Sequence, residues 1–180
     1  MRVVKTLKIA GALIVAALVV ILAYAATRPD AFRVERSLLI QAAPERIFPL
    51  VNDFHQWGKW SPYEKLDPAM QRKFGGADRG KGATYAWEGN DQAGKGRMEI
   101  IESQAASRIA IDLQFIEPFA ARNLAEFSFR PEAGGTRVSW AMQGSNPYIA
   151  KVMQVFMDFD HMIGRDFEAG LAALKQIAEQ

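Results

Sequence analysis

The chain has 180 residues and no cysteine, which excludes disulfides, thiolate metal sites and a cysteine nucleophile. Its 22 basic and 20 acidic residues leave a net charge of +2, too small to argue for nucleic acid. Only two histidines, His55 and His161, are left for a metal site or a histidine-based triad, while 49% hydrophobic content suffices for one well-cored domain.

Arg2, Lys5 and Lys8 precede Ile9 to Ala26, about 18 residues without a charge and just long enough to cross a bilayer as a helix. Arg28, Pro29 and Asp30 stop the run. The basic flank predicts a cytoplasmic N-terminus and a periplasmic or extracellular domain. A cleaved signal peptide is the competing reading, because Ala23-Tyr24-Ala25 satisfies the small-x-small rule. Both readings export the rest, so residues 1–28 are expected to be the anchor (or signal) and 29–180 the folded domain.

Phe32, Val34, Leu38 and Ile40 share one parity, the mark of a half-buried strand. Arg36 shares that parity too. It is either an edge residue snorkelling to water or a cation at a pocket mouth that needs a carboxylate partner. Pro44-Glu45-Arg46-Ile47-Phe48 starts a short helix, and Pro49 predicts a broken or double helical segment through about Trp57. The densest cluster of large side chains follows: Phe54, His55, Trp57, Trp60, Pro62 and Tyr63, with Glu64 and Asp67 adjoining. Such a cluster plugs the end of a barrel-like sheet, shores up an otherwise polar loop, or walls a pocket with Trp N–H and Tyr O–H groups as orienting donors.

Met70 to Phe74 is a candidate short strand. The glycine-rich stretch Gly75–Gly82 lacks the spacing of a phosphate-binding loop and reads as a connection. Alternation then marks five more strands: Tyr85 and Trp87; Gly96, Met98 and Ile100; Ile109, Ile111, Leu113 and Phe115; Ala125, Phe127 and Phe129; Val138, Trp140 and Met142. Short turn-separated strands pair antiparallel with one apolar face. From Asn146, a candidate N-cap before Pro147, the period turns helical. Val152, Val155, Phe156, Phe159, Ile163, Phe167, Gly170, Leu174 and Ile177 fall on one side. One long amphipathic helix to Glu179 is therefore expected to cover the sheet, with Asp158 and His161 on its wet face.

That order resembles the helix-grip fold of the START-like or SRPBCC superfamily, in particular its polyketide cyclase/dehydrase-type members. The likeness rests on Phe32-Arg33-Val34-Glu35-Arg36-Ser37, Ala43-Pro44-Glu45 with Ile47-Phe48, Asp53-Phe54, Trp57, Trp60-Ser61-Pro62 and Asp67-Pro68. Met157-Asp158, Gly164, Asp166-Phe167, Gly170-Leu171 and Leu174-Lys175 extend it to the C-terminal helix. The resemblance implies an α+β fold in which a curved antiparallel sheet of six to seven strands wraps a long C-terminal helix. It also implies a pocket for an apolar or amphipathic guest.

The residues expected to line that pocket are Arg36, Trp57, Trp60, Tyr63, Glu64, Tyr85, Trp87, Met98, Trp140 and Asp160, with Arg36 nominated as the partner of Asp160 if that carboxylate leans inward. Glu64, Asp67, Asp160 and Asp166 are the only acid–base candidates and form no catalytic constellation; no metal or cofactor motif is present. The expectation is a membrane-anchored protein, held through residues 9–26, that binds a hydrophobic small molecule or lipid without transforming it. Two alternatives stand: a cyclase- or dehydrase-like enzyme, and a protein-interaction module with a filled core.

Overall fold

The computed structural model describes residues 2–180, with side chains from Lys8 onward. The uncharged run folds as helix α1, Arg2–Ala26, whose segment Lys8–Ala26 is long and apolar enough to cross a membrane. At 1.5 Å per residue that segment is about 28 Å long, the thickness of a hydrocarbon core. Its described side chains are exposed apart from Ile21 and Ala25, which with Arg28 form a stripe at i, i+4 and i+7. That stripe turns toward the domain.

The domain is built on seven strands: β1 (Ala31–Ile40), β2 (Gln71–Gly76), β3 (Ala83–Glu88), β4 (Lys95–Gln104), β5 (Arg108–Glu117), β6 (Ala121–Glu132) and β7 (Gly135–Ser145). They form one antiparallel sheet in the order β1-β7-β6-β5-β4-β3-β2. The meander from β2 to β7 follows from short turns, and β1 closes it by pairing with β7. Alternation sends Ile109 and Ile111, Ala125, Phe127 and Phe129, and Val138, Trp140 and Met142 to the buried face. Register shifts at Lys95/Gly96 and Ile100/Glu102 bend the sheet.

Helix α2 (Pro44–Asn52) and two 3₁₀ turns, Phe54–Lys59 and Pro62–Lys65, close one end of the sheet. The helical segment is double, as expected, but α2 runs through Pro49 and the break comes at Asp53, where the backbone becomes extended before the first 3₁₀ turn. Pro49 lacks only the N–H that would bond Glu45, and the apolar face of Ile47, Phe48 and Val51 holds the turn in place.

The single helix expected from Asn146 to Glu179 is two helices, α3 (Tyr148–Met153) and α4 (Phe159–Ala178). Asp158 breaks the run because it caps α4, its carboxylate accepting the His161 N–H at 3.0 Å. Asn146 caps nothing. Its buried side chain donates to the Pro29 carbonyl at 3.0 Å and accepts from Gln154 at 2.9 Å, tying α3 to the start of β1. Helix α4 buries Gly164, Phe167, Gly170, Leu171, Leu174 and Ala178 against the sheet and α2.

Candidate ligand cavity

Between the inner face of the sheet and helices α3 and α4 lies a cavity of about 1500 Å³. Strands supply Phe32, Val34, Tyr85, Trp87, Met98, Ile111, Leu113, Phe115, Ala125, Trp140 and Met142; α4 supplies Met162, Ile163, Asp166 and Phe167. The space survives because its largest side chains lie along the walls. Trp140 stacks on Phe167 at 4.1 Å and 10°, and Gly170 permits this, since a Cβ there would stand 2.7 Å from the Trp140 ring. Trp87 lies flat over Gly96 of the next strand, where a Cβ would come within 2.4 Å of the ring.

Eight of the ten residues nominated from the sequence line the cavity: Trp57, Tyr63, Glu64, Tyr85, Trp87, Met98, Trp140 and Asp160. Trp60 does not. It is 1% exposed, packs against Trp57, Phe127 and Trp140, and donates its indole N–H to the Leu50 carbonyl at 2.9 Å. Trp57 likewise gives its N–H to Val51 O at 2.9 Å, so neither indole donor is free for a guest. This end of the sheet is plugged.

Arg36 also stays outside the cavity. Its guanidinium crosses α4 beside Gly164, bonding Asp160 at 2.8 Å and Glu168 at 2.9 Å. The pairing nominated for Arg36 and Asp160 is present, and it clamps α4 to edge strand β1. The Arg36 hydrogen bond holds the Asp160 carboxyl below the usual carboxylate range.

The Glu64 carboxylate is fully engaged, accepting from Arg72 at 2.6 Å and from the Tyr85 hydroxyl at 2.5 Å. Burial, then the Glu64 bond, pushes the Tyr85 hydroxyl well up. Burial also raises the Tyr63 hydroxyl, and the nearby Asp166 carboxylate adds to the effect. Both phenols therefore stay neutral donors. Among the described residues no cluster of His, Asp and Glu could hold a metal ion.

Several lining residues were not found from the sequence. Ser61 is 1% exposed and its hydroxyl has no partner among the described residues, although it stands at the N-cap of a 3₁₀ turn where a backbone N–H is the usual one. Buried Asn123 reaches only the Met142 sulfur, at 3.8 Å, with its amide N–H₂. Nothing in Trp60-Ser61-Pro62 marks Ser61 as an inward group. Phe119 did carry a signal, a large aromatic in the turn between two strands. Phe156 falls on the helix's apolar face by its period and Ile149 carries no signal at all, yet both stand at the cavity rim. The interior is thus an apolar space with a few unused neutral polar groups, suited to holding an apolar molecule by shape and one polar end by hydrogen bonds.

A seven-stranded antiparallel sheet gripping a C-terminal helix around such a space defines a helix-grip protein of the START-like superfamily. The chain belongs to the family described as polyketide cyclase / dehydrase and lipid transport, whose family model matches residues 31–179. No curated protein matches it. Among solved structures it is similar to protein CV1439 from Chromobacterium violaceum, at 18% identity and a TM-score of 0.57, covering 85% of this chain and 99% of that one. It is also similar to the Aha1 dimer from Colwellia psychrerythraea, at 15% identity and a TM-score of 0.56, over 82% and 96% of the two chains. The di-domain ARO/CYC BexL of the BE-7585A biosynthetic pathway gives 13% identity and a TM-score of 0.63, over 98% of this chain and 59% of that one. At these identities the likeness is one of fold.

Proposed function

We propose that the protein is a membrane-anchored binding protein for a hydrophobic small molecule or lipid, which it holds without transforming it. The observation that carries this reading is the cavity of about 1500 Å³, walled by apolar side chains and large enough for a lipid-sized guest. A protein-interaction module would have filled that space. Helix α1 supplies the anchor, and its basic N-terminal flank favours a domain outside the cytoplasm. Catalysis is disfavoured because Glu64 and Asp160, two of the carboxylates lining the cavity, are committed to Arg72 and Arg36.

The test is to purify the whole chain gently in detergent and examine it by native mass spectrometry, followed by organic extraction. A co-purifying lipid, quinone or polyketide-like mass is expected. An empty protein that takes up nothing from a lipid panel sinks the reading. If the guest's polar end uses the orphan Ser61 hydroxyl, Ser61→Ala lowers its retention about fivefold, the worth of one hydrogen bond of about 1 kcal/mol.

The second reading is a cyclase-like enzyme, favoured by one observation: Tyr63 and Asp166 sit together in the cavity as a phenol and a carboxylate. It requires that Tyr63→Phe and Asp166→Asn abolish cyclisation of a poly-β-keto thioester while leaving its binding intact.

A further inference from the structure

The rim of the cavity is built from the wrong side chains for contact with water. Outside α1 the three most exposed large apolar residues are Phe119 at 74%, Phe156 at 70% and Ile149 at 68%, and all three line the cavity. They come from separate segments, the β5–β6 turn, the α3–α4 connection and α3, so the patch is assembled by the fold. Met153, one turn beyond Ile149, and Met157 extend it. A soluble protein rarely leaves such a patch uncovered.

What covers it is fixed by where α1 ends. Helix α3 packs on α1, and the Tyr148 hydroxyl donates to the Leu22 carbonyl at 2.8 Å. Leu22 lies four residues before the end of the apolar span, about 6 Å along the axis. With α1 in a bilayer, Tyr148 sits at the depth where interfacial tyrosines lie, and Ile149 is the next residue. Arg28 stacks over Tyr24 with its guanidinium 5.0 Å from the ring, another pair suited to the headgroup layer. Below this junction Lys151, 6% exposed, bonds Asp30 at 2.5 Å and fixes α3 to the linker that leaves α1.

We infer that the rim formed by Phe119, Ile149, Met153, Phe156 and Met157 docks on the surface of the bilayer that holds α1, so that the cavity opens directly onto that leaflet. The inference rests on the anchored reading of α1 given above and adds the orientation of the mouth. The guest then passes between membrane and cavity without crossing water. Insertion is apolar, so docking is expected to be only weakly sensitive to salt.

The chain has no cysteine, so single labels can be placed without background. The whole chain is reconstituted in phosphatidylcholine nanodiscs carrying a lipid-borne quencher. An environment-sensitive fluorophore is attached through Val15→Cys, Ile149→Cys, Phe156→Cys or Ile101→Cys in turn. Ile101 is an exposed residue of β4 that does not line the cavity and serves as the water control. Labels at 149 and 156 are expected to be quenched at least half as strongly as the label at 15, and the label at 101 not at all. Quenching at 15 with none at 149 and 156 overturns the docking and leaves the anchor standing. No quenching at 15 overturns both. Ligand retention, read by mass spectrometry on the unlabelled protein, decides the binding reading separately, because a docked rim around an empty cavity fails that test alone.

Discussion

The two ends of the cavity use the same kinds of side chain to opposite effect. At the closed end Trp57, Trp60, Phe127 and Trp140 pack ring against ring at 4.8–6.1 Å. The indole N–H groups of Trp57 and Trp60 are both spent on carbonyls of α2. At the open end Phe119 and Phe156 are 74% and 70% exposed, and among the described residues no aromatic neighbour packs against either of them. Hydrophobicity alone therefore does not separate core from function. The discriminating facts are whether a ring is paired and whether its polar handle is satisfied within the fold.

The sharpest way to break this comparison is to attack the closed end. Trp60→Ala removes a side chain touched by three rings and is expected to cost about 3–5 kcal/mol, roughly 10 °C in melting temperature. A near-UV circular dichroism melt in micelles reads it. A shift of only a degree or two would mean that the end is not a plug. Gly170→Val is next. A branched side chain there runs into the Trp140 ring, and the expected loss is about 1–3 kcal/mol, with the Trp140–Phe167 stack disturbed. The same melt measures the loss, and the near-UV band of the tryptophans reports the stack.

The Arg36 clamp between α4 and β1 is a smaller matter, because the Asp160 side chain is 61% exposed and solvent screens the pair. Asp160→Asn is expected to cost under about 1 kcal/mol at neutral pH. The folded-state pKa of Asp160 is depressed, so its contribution is present above the unfolded value near 4 and is lost as the pH falls through the lower folded value. Unfolding curves of the parent and the variant should thus begin to approach one another below about pH 4 and meet only under the depressed folded value. Curves that stay apart in acid would show that the clamp acts through packing.

Much of the fold was legible because strands advertise themselves by a period of two. β3, from Ala83 to Glu88, begins and ends where its alternation does. The Arg36–Asp160 pair was legible too, since a charge of inward parity needs a partner. The break at Asp158 was hidden, because the apolar period of the last helix continues in phase across Gln154–Asp158 and only a capping carboxylate interrupts it. The roles of Trp57 and Trp60 were likewise beyond the sequence. They are three residues apart and chemically equal, and one lines the cavity while the other is sealed behind it. The mouth as an assembly was invisible, since Phe119, Ile149 and Phe156 meet only through the tertiary fold, even though Phe119 alone carried a signal.

The smallest expected effect on stability is the one that separates the two ends most cleanly. Phe156→Ser removes a ring that is 70% exposed, so the melting temperature should hold within what about 0.5 kcal/mol moves it. The same change takes a large apolar group out of the surface inferred to meet lipid, where burying such a side chain is worth about 1.5–3 kcal/mol. Uptake of a fluorescent lipid from the protein's own nanodisc should therefore slow several-fold, while uptake of the same lipid delivered from detergent is unchanged. A variant that loses stability in step with uptake would place Phe156 in the core economy of the domain and dissolve the distinction between the ends. A variant that loses uptake alone makes the open end a surface for the membrane, and leaves the closed end as the wall against which the guest comes to rest.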